Sequence, residues 1–119
     1  MNKSRFRVYL RICCLSVILS CSNDNEEDLF GPKNFFCDPD LVTFSDIIKP
    51  IIDTNCTVSG CHVIGTGLPD FTQFSNIKTY AAEIRERTST RDMPRGGRVL
   101  TSLQIAQIGC WVESGALNN

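Results

Sequence analysis

The sequence lacks the residue sets that common catalytic sites require. Its 119 residues include a single histidine, one tryptophan and two methionines. It contains no Ser-His-Asp set, no phosphate-binding glycine loop and no pair of carboxylates beside a base. It also has no apolar run of the roughly 20 residues needed to cross a bilayer. With one histidine, a zinc site is disfavoured as well. The functional residues must therefore be sought among the seven cysteines.

The first 20 residues have the composition of a secretory signal peptide. Four basic residues and no acid precede a short apolar run that ends at Ser20-Cys21. Residues 18–21, Ile-Leu-Ser-Cys, resemble a bacterial lipobox, so Cys21 is the expected site of lipidation. A plain secretory signal with an incidental cysteine is the alternative. We expect residues 21–36, which begin with a polar and acidic stretch, to form a flexible tether, and residues 37–119 to form the folded domain.

Removal of residues 1–20 makes the chain acidic. Eight basic and 13 acidic residues remain, which corresponds to a net charge near −5. Such a surface argues against nucleic acid as a partner and favours a partner with basic patches. Four cysteines then remain in the domain: Cys37, Cys56, Cys61 and Cys110.

Three helices joined by long loops are predicted. Thr43 or Ser45 can cap the first, which runs to about Asn55 with a kink or a short first turn at Pro50. Ser75 can cap the second, from Asn76 to about Arg87. Thr101 and Gln104 form a capping box for the third, which Gly115 ends. Helices this short bury little surface between them, and two loops of more than ten residues are typical of a functional site.

The segment Cys56-Thr57-Val58-Ser59-Gly60-Cys61-His62 has the order of a c-type haem attachment signature. In that chemistry two thiols add across the two haem vinyl groups, and the adjacent imidazole ligates the iron. Four residues separate the cysteines here, instead of the common two, and Ser59 and Gly60 suit the bulge that this spacing requires. The alternative is a Cys56–Cys61 disulfide with His62 as an ordinary loop residue.

Met93 is the candidate for a second iron ligand. It is the only methionine outside the signal segment and lies in a polar loop beside Pro94. The alternative role for Met93 is to fill a gap in the core. A carbonyl at or next to Pro69 can accept a hydrogen bond from His62. The nearby basic residues Arg91, Arg95 and Arg98 are candidates to pair with haem propionates, or are simply solvated.

The order of these features resembles the small monohaem cytochrome c-like domains and lipoproteins of bacteria. The residues that carry the resemblance are Phe44 to Ile52 before the cysteines, Met93-Pro94, Leu100-Thr101 and Cys110 to Asn119. It implies an all-α, cytochrome c-like fold of three main helices around one haem c, with Cys56 and Cys61 attached to the haem, His62 as proximal and Met93 as distal iron ligand.

The resemblance has further implications for the bridge, the activity and the location. In such folds the first and last helices pack together, which implies a Cys37–Cys110 disulfide; two free thiols are the alternative. It also implies a monomeric electron carrier, not an enzyme, which serves a redox partner that the sequence does not identify. With Cys21 lipidated, the protein would be anchored to a membrane and face the periplasm or the cell surface. A haem-free, disulfide-stapled binding or structural lipoprotein is the competing interpretation.

Overall fold

The computed structural model describes residues 34–119. The predicted signal peptide, the predicted lipidation site Cys21 and residues 21–33 of the expected tether lie outside the described residues. The described part is all-α and contains no β-strand. Its elements are a π-helical segment (Phe44–Ile48), α1 (Lys49–Asn55), α2 (Phe74–Thr79), α3 (Ala81–Ser89) and α4 (Ser102–Glu113).

The first helical region begins where the sequence predicted. The Thr43 side chain accepts a hydrogen bond from the Asp46 N–H, and the Ile48 N–H donates to the Thr43 carbonyl five residues back. The segment then passes directly into α1, with Pro50 in its first turn. A proline ring would crowd the carbonyl four residues earlier, and the wider π-turn relieves this crowding. The predicted distortion at Pro50 is therefore present and takes the form of a π-helical turn.

The second predicted helix differs from the structure in two ways. It begins two residues earlier than expected, at Phe74 after Gln73, so that Ser75 lies inside the helix and does not cap it. It is also interrupted at Tyr80, whose φ and ψ angles of −99° and 15° are not helical. Asn76 donates from its side chain to the Asp70 carbonyl at 2.8 Å, which ties the start of α2 to the preceding loop. Tertiary contacts, and not the Ser75 cap, thus set the start of α2.

The last helix, α4, agrees with its prediction. Both hydrogen bonds of the Thr101–Gln104 capping box are present. The chain leaves the helix through Gly115, whose φ of +94° is readily adopted only by glycine. Trp111, which is 1 % exposed, packs against Phe44 and donates from Nε1 to the Leu117 carbonyl at 2.9 Å. Helix α4 therefore packs on the first helical segment and also on α3.

A disulfide joins Cys37 to Cys110 on α4, with the Cα atoms 5.4 Å apart. The bridge expected from the family resemblance is thus present. It ties the chain before the first helical segment to the core face of the last helix, where Cys110 is buried. All the helical elements contribute to the core, including α2 through Ile77, and a cavity lies beside it between the loop after α1 and the loop after α3.

Candidate cofactor site

A cavity of about 620 Å³ lies between the loop that follows α1, one face of α3 and the loop that follows α3. Its volume is within the range of cofactor and small-molecule sites. Its wall is mainly apolar and includes four side chains predicted as site residues: Cys56, Cys61, His62 and Met93. Residues from two loops 30 positions apart in the sequence thus meet at one cavity.

The loop from Cys56 to His62 folds back on the end of α1. The Cys56 N–H donates to the Ile52 carbonyl at 2.8 Å, and the His62 N–H donates to the Cys56 carbonyl at 3.1 Å. The Cys61 N–H closes the turn on the Val58 carbonyl at 3.0 Å. Gly60 has a φ of +80°, as its predicted place in a bulge requires. The four intervening residues therefore form a closed turn that keeps both cysteines at the same wall.

Cys56 and Cys61 are free thiols, each partly buried. Burial, and next the neighbouring Cys61 thiol, raises the pKa of Cys56 to about 11. Cys56 is therefore a neutral thiol at ordinary pH. The disulfide between these two cysteines, which was the alternative at the sequence level, is not formed in this structure.

His62 is held in one orientation by two contacts. Its Nδ1 lies 3.0 Å from the Pro69 carbonyl oxygen. Because a carbonyl can only accept, Nδ1 carries the proton and the neutral ring keeps a lone pair on Nε2. The ring also stacks on Phe71, with centroids 4.2 Å apart and planes 6° from parallel. Within the described chain no group hydrogen-bonds Nε2, so this nitrogen can act as a metal ligand.

Met93 is contributed by the loop after α3. Its backbone N–H donates to the Arg87 carbonyl at 3.0 Å, which fixes the loop to the end of the helix. The next residue back, Asp92, pairs with Arg87 and Arg95, and the hydrogen bonds from Arg95 and then Arg87 lower the pKa of this carboxyl. Both arginines line the cavity. The cavity therefore has a charged rim next to the thioether.

The structure revises which arginines belong to the site. Of the three predicted from the sequence, only Arg95 lines the main cavity. Arg91 and Arg98 line a smaller one, of about 110 Å³, on the other side of Met93-Pro94. Arg87, named in the sequence analysis only as the approximate end of the second helix, also lines the main cavity and was missed. Arg87 lies on the same face of α3 as Ile84, and only the structure shows that this face lines the cavity.

Phe71 was also missed by the sequence analysis. It is 5 % exposed and supplies the stacking surface for His62. The available signal was that Phe71, two positions after Pro69, is the only Phe, Tyr or Trp between α1 and α2. Large aromatic side chains contribute much to buried surface, and here the ring is buried against the imidazole. Trp111 packs on the first helical segment at Phe44 and does not line the cavity.

The donor set suits a covalently held haem. Two free thiols and a neutral imidazole come from one loop, a thioether comes from another, and the wall between them is apolar. Among residues 34–119, no three His, Cys, Asp or Glu side chains are grouped so that they could hold a metal ion by themselves. No helix in this part of the chain is long and apolar enough to cross a membrane. No protein-family model, no curated protein and no solved structure matches the chain.

Proposed function

We propose that this chain is a cytochrome c-like electron-transfer protein of the cell envelope that binds one haem c. Cys56 and Cys61 would hold the haem through thioether bonds, and His62 and Met93 would be the iron ligands. The observation that carries the proposal is the convergence of these four side chains on one apolar cavity. When bound, the haem supplies a one-electron redox centre.

The residues around the cavity have separate tasks in this proposal. Pro69 and Phe71 hold His62 in the tautomer and orientation that a metal ligand needs. Arg87 and Arg95, at the charged rim, are placed to pair with carboxylates of the bound group. With Met93 as sixth ligand no position would be open to small molecules, and we expect an electron carrier without enzymatic activity.

Lipidation of Cys21 would anchor the domain to a membrane through the acidic tether, facing the periplasm or the cell surface. Covalent attachment of haem in an exported domain requires two cysteines that are not already joined in a disulfide. The structure meets this condition, because the one disulfide among residues 34–119 uses Cys37 and Cys110 and leaves the other pair free.

Expression of the full chain with cytochrome c maturation factors tests the proposal. We expect sharp reduced-state haem bands that survive acid-acetone extraction, and their loss when Cys56 and Cys61 are both replaced by alanine. Ser59→Ala is the matched control, because it changes an exposed residue between the two cysteines that does not line the cavity, and it should leave the haem attached. A cooperatively folded, colourless wild-type protein would overturn the proposal and favour a haem-free binding or structural lipoprotein.

Met93→Ala tests the ligand assignment. We expect this variant to lose the methionine–iron absorbance band and to bind carbon monoxide in the reduced state. Leu68→Ala, a change at a half-exposed apolar residue of the same cavity, should do neither. Retention of the band in Met93→Ala would show that Met93 is not a ligand.

A further inference from the structure

The Asp92 carboxylate forms ion pairs with an arginine before Met93 and an arginine after it. Asp92 accepts from Arg87 Nη1 on Oδ2 at 2.6 Å and from Arg95 Nη2 on Oδ1 at 3.0 Å. Arg87 belongs to α3, whereas Arg95 follows Met93 and Pro94. The two ion pairs therefore bracket Met93 in the sequence and connect the segment after it to the helix before it.

Few other interactions fix this part of the backbone. The Met93 N–H donates to the Arg87 carbonyl, but from 94 to 100 no backbone N–H of the described structure donates to another backbone group. Two glycines with positive φ, Gly96 and Gly97, follow Arg95 and add freedom to the chain. Besides the packing of the half-buried Met93 and Pro94 side chains, the position of the Met93 sulfur at the cavity wall thus depends on one backbone hydrogen bond and on the charged side chains around Asp92.

The two ion pairs are too exposed to add much to global stability. The side chains of Arg87, Asp92 and Arg95 are 54, 41 and 70 % exposed, and pairs of this kind contribute little to the free energy of unfolding. Their effect is instead local, because a small free-energy difference is enough to change the population of a loop that has few other restraints.

We propose that Asp92 is a positioning residue, whose pairing with Arg87 and Arg95 holds Met93 at the cavity wall. The inference rests on the proposed function in so far as Met93 is an iron ligand. Without the carboxylate the loop would open more often, and the thioether would compete less well with ligands from solution. Asp92 acts only through Met93 and is not expected to touch the iron or the haem.

Asp92→Asn in the haem-loaded full chain tests this inference. Imidazole is titrated into the oxidised protein while the methionine–iron band is recorded. We expect Asp92→Asn to bind imidazole about fivefold more tightly than the wild type, with a urea midpoint lowered by no more than about 0.5 M. Asp53→Asn is the matched control, since it breaks the exposed Lys49–Asp53 pair of α1, which is away from the cavity. Equal imidazole affinities of Asp92→Asn and the wild type would overturn the inference.

Amide hydrogen exchange at Met93 gives a second readout that needs no haem. In the haem-free full chain we expect the Met93 N–H to exchange about fivefold faster in Asp92→Asn and to be unchanged in Asp53→Asn. Arg95→Gln as a single substitution should speed the exchange of the Met93 N–H. Added to Asp92→Asn it should have little further effect, because Arg95 has then already lost its partner Asp92. Unchanged Met93 exchange overturns the inference even if the haem is present. A colourless wild type with faster exchange in Asp92→Asn overturns the proposed function and leaves the positioning role intact.

Discussion

Loss of the Cys37–Cys110 disulfide is predicted to remove a large part of the stability of the domain. Cys37 is exposed, whereas Cys110 is 2 % exposed on the core face of α4. Cys37→Ser therefore breaks the bridge and leaves the buried sulfur of Cys110 in place. The variant separates the effect of the cross-link from the effect of an altered core.

The magnitude follows from the length of chain that the bridge closes. The two cysteines are 73 residues apart, and the chain-entropy relation gives about 4 kcal/mol for a loop of this size. A small domain has a total free energy of unfolding of about 5–15 kcal/mol, so the bridge supplies much of it. With a urea dependence of about 2 kcal/mol per M, the unfolding midpoint should fall by roughly 2 M.

Urea unfolding followed by far-ultraviolet circular dichroism measures this loss. The wild type in reductant and Cys37→Ser in reductant should have the same midpoint, since both lack the bridge. Cys37→Ser/Cys110→Ala should be less stable still, because it also removes a buried side-chain atom. A difference of less than about 1 kcal/mol between oxidised wild type and Cys37→Ser would refute the reasoning, because the bridge would then not constrain the unfolded chain.

The remaining four predictions concern three side chains, Cys56, Phe71 and Thr101. In the haem-free protein at pH 8, iodoacetamide should modify Cys61 before Cys56, whose thiol is kept neutral by its raised pKa; mass spectrometry of the peptides gives the order. The folded protein retains the Cys56 proton above pH 9, whereas the unfolded chain loses it. The free energy of unfolding should therefore fall between about pH 9 and 11, and Cys56→Ala should abolish the part of this fall that comes from Cys56. Phe71→Ala should destabilise the protein by about 3–5 kcal/mol and Phe71→Leu by less than half as much, measured by urea unfolding, since leucine refills most of the cavity under His62. Thr101→Ala should cost about 1 kcal/mol through loss of the capping box, and an equal stability of Thr101→Ala and wild type would contradict the assigned cap.

Structural features that depend only on residues close together in the sequence were predicted from the sequence. The cap at Thr43, the capping box at Thr101 and the end of α4 at Gly115 each follow from a side chain or a glycine acting on the backbone within a few positions. The positive φ of Gly60 and the contact between His62 and the Pro69 carbonyl were predicted for the same reason, since they belong to one loop. The site residues were identified by their chemical type and spacing.

Other features required the tertiary structure. The interruption at Tyr80, the start of α2 and the burial of Phe71 beneath His62 depend on how loops pack against helices, which local propensity does not encode. The assignment of Arg87 to the cavity also required the structure, because a charged residue on an amphipathic helix looks the same in sequence whether its face meets solvent or a cavity.

By itself, the sequence determined which groups can react: four cysteines in the domain, one imidazole and one thioether, with helix ends set by local caps. Only the tertiary structure decided that Cys37 pairs with Cys110, that Cys56 and Cys61 stay free, and that Met93 meets them at one apolar cavity. The physical reason is that these contacts join residues tens of positions apart. The packing of α4 on the first helical segment, and of α3 on α4, brings them together.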